Sequence, residues 1–134
     1  MIALEPLHNP SSDRRRRGRK PPAEHTDVRL CRLLEAVVAA SFAVPPRSLR
    51  ARSRCRADIA FARQAAMYLA HVAFGLSYST IGQSFGRDRT TAAHACRLVE
   101  ERRDDPATDR VLHALEEICI DLARNVRTPA EVDA

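Results

Sequence analysis

Residues 77–99 read SYSTIGQSFGRDRTTAAHACRLV, and the fold turns on them. Ile81 and Phe85 are spaced to face inward from a short helix over about 78–85, with Ser77 or Ser79 as its cap. Gly86 then opens a tight turn through Arg87 and Asp88. A second helix begins near Arg89–Thr90 and runs to about Arg103. It sorts cleanly: Ala92, Ala95, Cys96 and Val99 form a stripe of small apolar side chains, opposite a polar face of Thr90, His94, Arg97 and Glu101. Two short helices joined by a glycine turn make a helix-turn-helix, although many helical bundles contain the same pairing. The start of the second helix presents Arg87, Asp88, Arg89, Thr90 and Thr91. Such an end can enter a major groove, where side chains meet base edges and free amides favour phosphate.

The flanking sequence is helical throughout. Residues 27–42 repeat apolar side chains at helical spacing, with Thr26 as the expected N-cap and Pro45 and Pro46 as the stop. A basic piece, Arg47 to Arg56, follows with Leu49 as its anchor. The helix over about 57–74 is apolar almost all round (Ile59, Phe61, Ala62, Ala66, Leu69, Val72), so it belongs at the centre of the domain. Arg63, Gln64 and His71 fall on one strip of it, and Gly75 is placed as a left-handed stop. Pro106 starts a last helix to about 124, with Val111, Leu115, Ile118, Cys119 and Leu122 as its expected inward stripe. The fold class is therefore all-α, a small helical bundle. Residues 1–25 read as a disordered basic tail, 26–125 as the domain, and 126–134 as a disordered C-terminal tail.

Charge is unevenly placed. Residues 1–56 carry 13 basic and 5 acidic side chains, and residues 57–134 carry 9 and 12. A basic front on an acidic back is what a polyanion-binding surface would have. All but Lys20 of the basic residues are arginine. That suits phosphates and guanine edges, and a codon bias toward arginine gives the same composition. The run Arg14–Arg17 with Arg19 and Lys20 is either a solvated charge run or a basic arm on phosphates. The four cysteines, at 31, 55, 96 and 119, have no metal-ligand spacing. With no leader and no apolar run of membrane length, a cytoplasmic, nucleoid-associated protein is expected.

The identities within 77–99 carry more. Ile81-Gly82, Phe85-Gly86-Arg87-Asp88-x-Thr90-Thr91 and His94-Ala95-Cys96-Arg97 resemble the signature of the C-terminal DNA-binding domain of the bacterial replication initiator DnaA. Upstream, Ala62-Arg63-Gln64-x-Ala66-Met67-x-Leu69-Ala70 is similar to that family's central helix, and Arg47–Arg56 stands where it has a basic loop. The likeness covers roughly residues 27–122. It implies double-stranded DNA as partner, at DnaA-box-like sites. Asp88, Arg89, Thr90 and Thr91 would read bases in the major groove, and Arg54 or Arg56 would enter the minor groove. Arg63, Gln64, Ser77, Tyr78, Ser79, Arg87, His94 and Arg97 would hold phosphates. Where the family usually has His, this chain has Arg89; His71 replaces a commonly basic position, and a single glycine, Gly86, precedes Arg87.

Nothing in the sequence has the spacing of a nucleophile triad, a metal site or a Walker-type phosphate loop. No catalysis, no cofactor, no metal, no membrane and no small-molecule substrate are expected. The resemblance implies a stand-alone DNA-binding domain without the initiator's ATPase module, modulating replication initiation or transcription. Protein partners would be the initiator itself or other replication proteins. The alternative is a protein–protein adaptor whose DnaA-like surface has drifted.

Overall fold

The structure, a computed structural model, describes residues 25–51 and 56–127. Its elements run α1 (His25–Phe42), a 3-10 turn (Pro46–Leu49), α2 (Ala57–Val72), α3 (Tyr78–Phe85), α4 (Arg89–Arg102) and α5 (Pro106–Arg127). Every regular element among the described residues is helical, as the patterning requires. Residues 1–24 and 128–134, which hold most of the two expected tails, and Arg52 to Cys55 lie outside the described residues.

α1 starts at His25, so Thr26 is inside the helix and does not cap it. Ala43 takes a left-handed φ of 55° at its end, and Val44 N–H returns to the Ala39 carbonyl at 2.9 Å. Pro45 then forbids another helical turn. Leu49 is fully buried and anchors the 3-10 turn.

α2 is the central helix. Ala62, Ala65, Ala66, Leu69 and Ala70 are completely buried, and it packs most extensively against α4 and α1. Small side chains on both partners permit that approach, because α4 turns the predicted stripe of Ala92, Ala95, Cys96 and Val99 into the same seam. Val72, in the last turn, is 39% exposed, while Phe74 and Leu76 just beyond it return to the core. Gly75 stands at φ 71°, and Leu76 N–H closes the end on the Ala70 carbonyl.

α5 corrects the expected inward stripe. Val111 and Ile118 are 45% and 50% exposed, while Leu112, Leu115, Cys119 and Ala123 are buried. Both rows have helical spacing and share Leu115 and Cys119; Leu112 and Ala123 take the inward places expected of Val111 and Ile118, and Leu122 is half-buried at the edge of the core. Asp105 caps its start by accepting Thr108 N–H at 3.0 Å, and it runs to Arg127, three residues past its expected end.

The α4–α5 corner is fixed by Arg103, which donates to Asp109, Glu116 and the Tyr68 hydroxyl. Burial works against the Arg103 charge, but its bonds to Glu116, Asp109 and Tyr68 outweigh it and hold the guanidinium above its ordinary range. Arg103→Ala leaves Glu116 and Tyr68 without that donor, and is expected to cost about 1–3 kcal/mol. Urea unfolding should show a lower midpoint with an unchanged slope; an unshifted midpoint would mean the corner holds without this network.

Cys31, Cys96 and Cys119 are buried, and burial pushes each thiol up to about 11, so they are packing groups at neutral pH.

Candidate nucleic-acid interface

The turn between α3 and α4 sets the geometry of the site. Ser77 caps α3, accepting Thr80 N–H at 3.1 Å, which decides between the two candidate serines. Ile81 and Phe85 are fully buried and seat α3 on the core. Gly86 ends it at φ 69°, a left-handed position that glycine takes without a Cβ penalty. Gly82 faces the turn so closely that Arg87 N–H reaches its carbonyl at 2.8 Å.

Asp88 caps α4. Its Oδ1 accepts the Thr91 N–H at 3.0 Å, the Thr90 hydroxyl at 2.7 Å and the Thr91 hydroxyl at 3.0 Å. The Thr90 hydroxyl, and then the Thr91 amide and hydroxyl, hold this exposed carboxyl below its ordinary range. Three of the four expected base-reading residues, Asp88, Thr90 and Thr91, are therefore one hydrogen-bonded unit at the helix start. Arg89 stands beside them, exposed, as the first residue of α4. His94 and Arg97 continue the exposed face one and two turns on.

The residues expected on phosphates divide. Tyr78 and Arg97 line a groove of about 570 Å³ between α2, α3 and α4, with His71 stacked on the Tyr78 ring at 4.4 Å. His71 Nδ1 lies 2.9 Å from the Leu76 carbonyl. Gln64 sits apart, in a groove with Phe61, Leu98 and Arg102. Ser77 is exposed, and Ser79 half-buried beside it.

Arg63 and Arg87 face inward on this side of the molecule. Arg63 donates to the carbonyls of Leu49 at 2.9 Å, Ser48 at 2.9 Å and Ala51 at 3.1 Å. Arg87 donates to the same Ala51 carbonyl at 2.6 Å. Sequence reasoning assigned both to phosphates; a side chain bonded to a backbone carbonyl 12 to 36 positions away leaves no periodic signal. Of the two minor-groove candidates, Arg54 lies outside the described residues. Arg56 is exposed immediately before α2, 3.3 Å from Asp58.

Among the described residues no group of three His, Cys, Asp or Glu gathers as a metal site would, and no helix is long and apolar enough to cross a membrane. A compact helical domain with a capped second helix, exposed at its N-terminal half and fixed by a glycine turn, defines a helix-turn-helix protein. The chain belongs to the bacterial DnaA helix-turn-helix family, which matches residues 32–99. It is 34% identical over 100 residues to the chromosomal replication initiator protein DnaA of Symbiobacterium thermophilum, covering 73% of this chain and 21% of that protein. It is 43% identical over 65 residues to DnaA 1 of Protochlamydia amoebophila, covering 48% of this chain and 14% of the other. A crystal structure of a DNA replication initiation factor superposes with a TM-score of 0.66 at 25% identity, covering 85% of this chain and 33% of that one. The chain thus spans about a fifth of the first relative and a smaller part of the second, and the matched part is the DNA-binding helix-turn-helix.

Proposed function

We propose that this protein binds double-stranded DNA sequence-specifically at DnaA-box-like sites, without catalysis, and so modulates replication initiation or transcription. The observation that carries the reading is the exposed row on α4, where Arg89, Thr90 and Thr91 stand around the Asp88 cap with His94 and Arg97 behind them. In this reading the start of α4 lies in the major groove. Thr methyls suit thymine, and Arg89 reaches a guanine edge. Arg54 or Arg56 serves the adjacent minor groove. Tyr78 and Arg97, around their shared groove, with Ser77, Ser79, Gln64 and His94, take backbone phosphates.

Arg89 makes the reading specific. An arginine there can pair bidentately with guanine N7 and O6, worth about 1–3 kcal/mol against a wrong base. Binding-site selection should therefore enrich a box-like sequence with guanine beneath Arg89. Arg89→His, which restores the residue usual in the family pattern, should move that single base preference by roughly ten- to a hundred-fold. No enriched sequence overturns the reading, and identical selections by both proteins remove Arg89 from base contact.

A second reading, a protein–protein adaptor for the initiator or other replication proteins, draws on the exposed Val111 and Ile118 of α5. Those residues are on the same face two turns apart, and apolar exposure of that kind marks contact surfaces. Preference for the selected duplex over a scrambled one decides between the two.

A further inference from the structure

Among the described residues, Glu35 on α1 is the one charged side chain taken into the core, at 4% exposure. A buried carboxylate is costly unless it is paired, and an apolar side chain of similar volume is often no less stable. Glu35 has two partners. Its Oε1 accepts from Arg32 and lies 3.4 Å from Arg50 Nε, just past the 3-10 turn. Burial pushes the Glu35 carboxyl up, and Arg32 and then Arg50 oppose it. One carboxylate facing two guanidinium groups leaves the cluster with a net positive charge.

The two arginines differ in what they have left to offer. Arg32 donates from its other terminal nitrogen to the Ser84 carbonyl in the last turn of α3, where the helix end favours a cation. It is committed to the fold. Arg50 meets Glu35 through Nε, and its side chain is 50% exposed. Among the described residues neither of its terminal nitrogens has a hydrogen-bond partner. A guanidinium held at its stem with both terminal nitrogens open suits the paired oxygens of a phosphate.

This cluster flanks the α3–α4 turn. Arg50 is joined to Ala51, whose carbonyl accepts from Arg87 at 2.6 Å, and Arg87 immediately precedes the α4 cap. Arg32 ties the same carboxylate to the end of α3, the opposite end from Tyr78 and its groove. A major groove is about 12 Å wide, so a helix seated in it has a phosphate row on each flank.

We propose that Arg50 is a further phosphate contact of this protein, and that Glu35, backed by Arg32, is the positioning residue that holds its guanidinium beside the start of α4. The proposal rests on the DNA-binding reading above. An arginine already held in place loses less side-chain freedom on binding than a free one. That gain is what a buried carboxylate supplies here and an apolar residue would not.

Salt titrations of affinity, with the selected duplex and a scrambled one, test this. Arg50→Ala should weaken binding to both duplexes alike, roughly three- to ten-fold, and make the log–log slope shallower by about 0.9. Glu35→Gln gives the sharper sign. Removing a negative charge should by itself tighten DNA binding, whereas releasing Arg50 should weaken it. We expect weakening, and a change of less than about two-fold when Arg50 is already alanine. Thermal melts confirm that each variant folds; if Glu35→Gln does not, Glu35→Met leaves no polar group buried and carries the same comparison. An unchanged slope for Arg50→Ala, or tighter binding by the Glu35 variant, overturns the proposal. So does a loss confined to the selected duplex, which would make Arg50 a base reader. Wild-type binding without preference for the selected duplex overturns the proposal together with the reading it rests on; preference with an unchanged Arg50→Ala slope overturns the proposal alone.

Discussion

Gly82→Ala is expected to abolish most site-specific DNA binding while leaving a helical, partly destabilised protein. A β-carbon on Gly82 would stand 2.5 Å from the Arg87 carbonyl oxygen and 3.1 Å from the Asp88 carbonyl carbon. Both neighbours are backbone, so no side chain can swing aside; the turn itself must move. Overpacking of this kind costs about 1–3 kcal/mol of stability. Its larger effect is geometric, because Arg87 and Asp88 are the residues that place and cap α4. Losing one or two base contacts at about 1–3 kcal/mol each is roughly a ten- to thousand-fold loss of affinity.

Gly86→Ala is the control. Gly86 has a positive φ of 69° but open space around its missing side chain. Alanine there meets only the left-handed strain, about 1–2 kcal/mol, which lowers the melting temperature without moving α4. Gly82→Ala should thus lose far more affinity than Gly86→Ala at comparable loss of stability, as read by fluorescence anisotropy and thermal melts. Equal affinities for the two variants would mean the turn does not set the recognition helix.

The comparison between these glycines shows where sequence reading works and where it stops. Gly86 announces itself, since it follows the last inward residue of α3 and precedes a cap. Gly82 lies mid-helix, and only the fold shows what it makes room for. The small-residue stripe on α4 was legible because alanines at helical spacing against an apolar central helix have one sensible orientation. The stripe on α5 was not. Rows through Val111 and through Leu112 both repeat correctly, and packing against α1 and α2 chooses the second. In the site, the exposed row on α4 followed from its polarity. The carbonyl bonds of Arg63 and Arg87 could not, because a backbone oxygen as acceptor is the same at every position in the chain.

The central claim is that this helix-turn-helix holds duplex DNA by arginine–phosphate contacts and selects its site through the start of α4. Titrating salt against affinity, for a box-like duplex and a scrambled one in parallel, tests both halves at once. With Arg97 joined by arginines of the basic piece Arg47–Arg56 and of the run Arg14–Lys20, neutralising some five to eight phosphates gives a log–log slope of roughly −4 to −7 for the box-like duplex. Base contacts add a salt-independent offset, so that duplex should stay tighter at every salt concentration. A steep slope with a persistent offset is the expected result. A slope near zero, or two curves that coincide, would contradict the account.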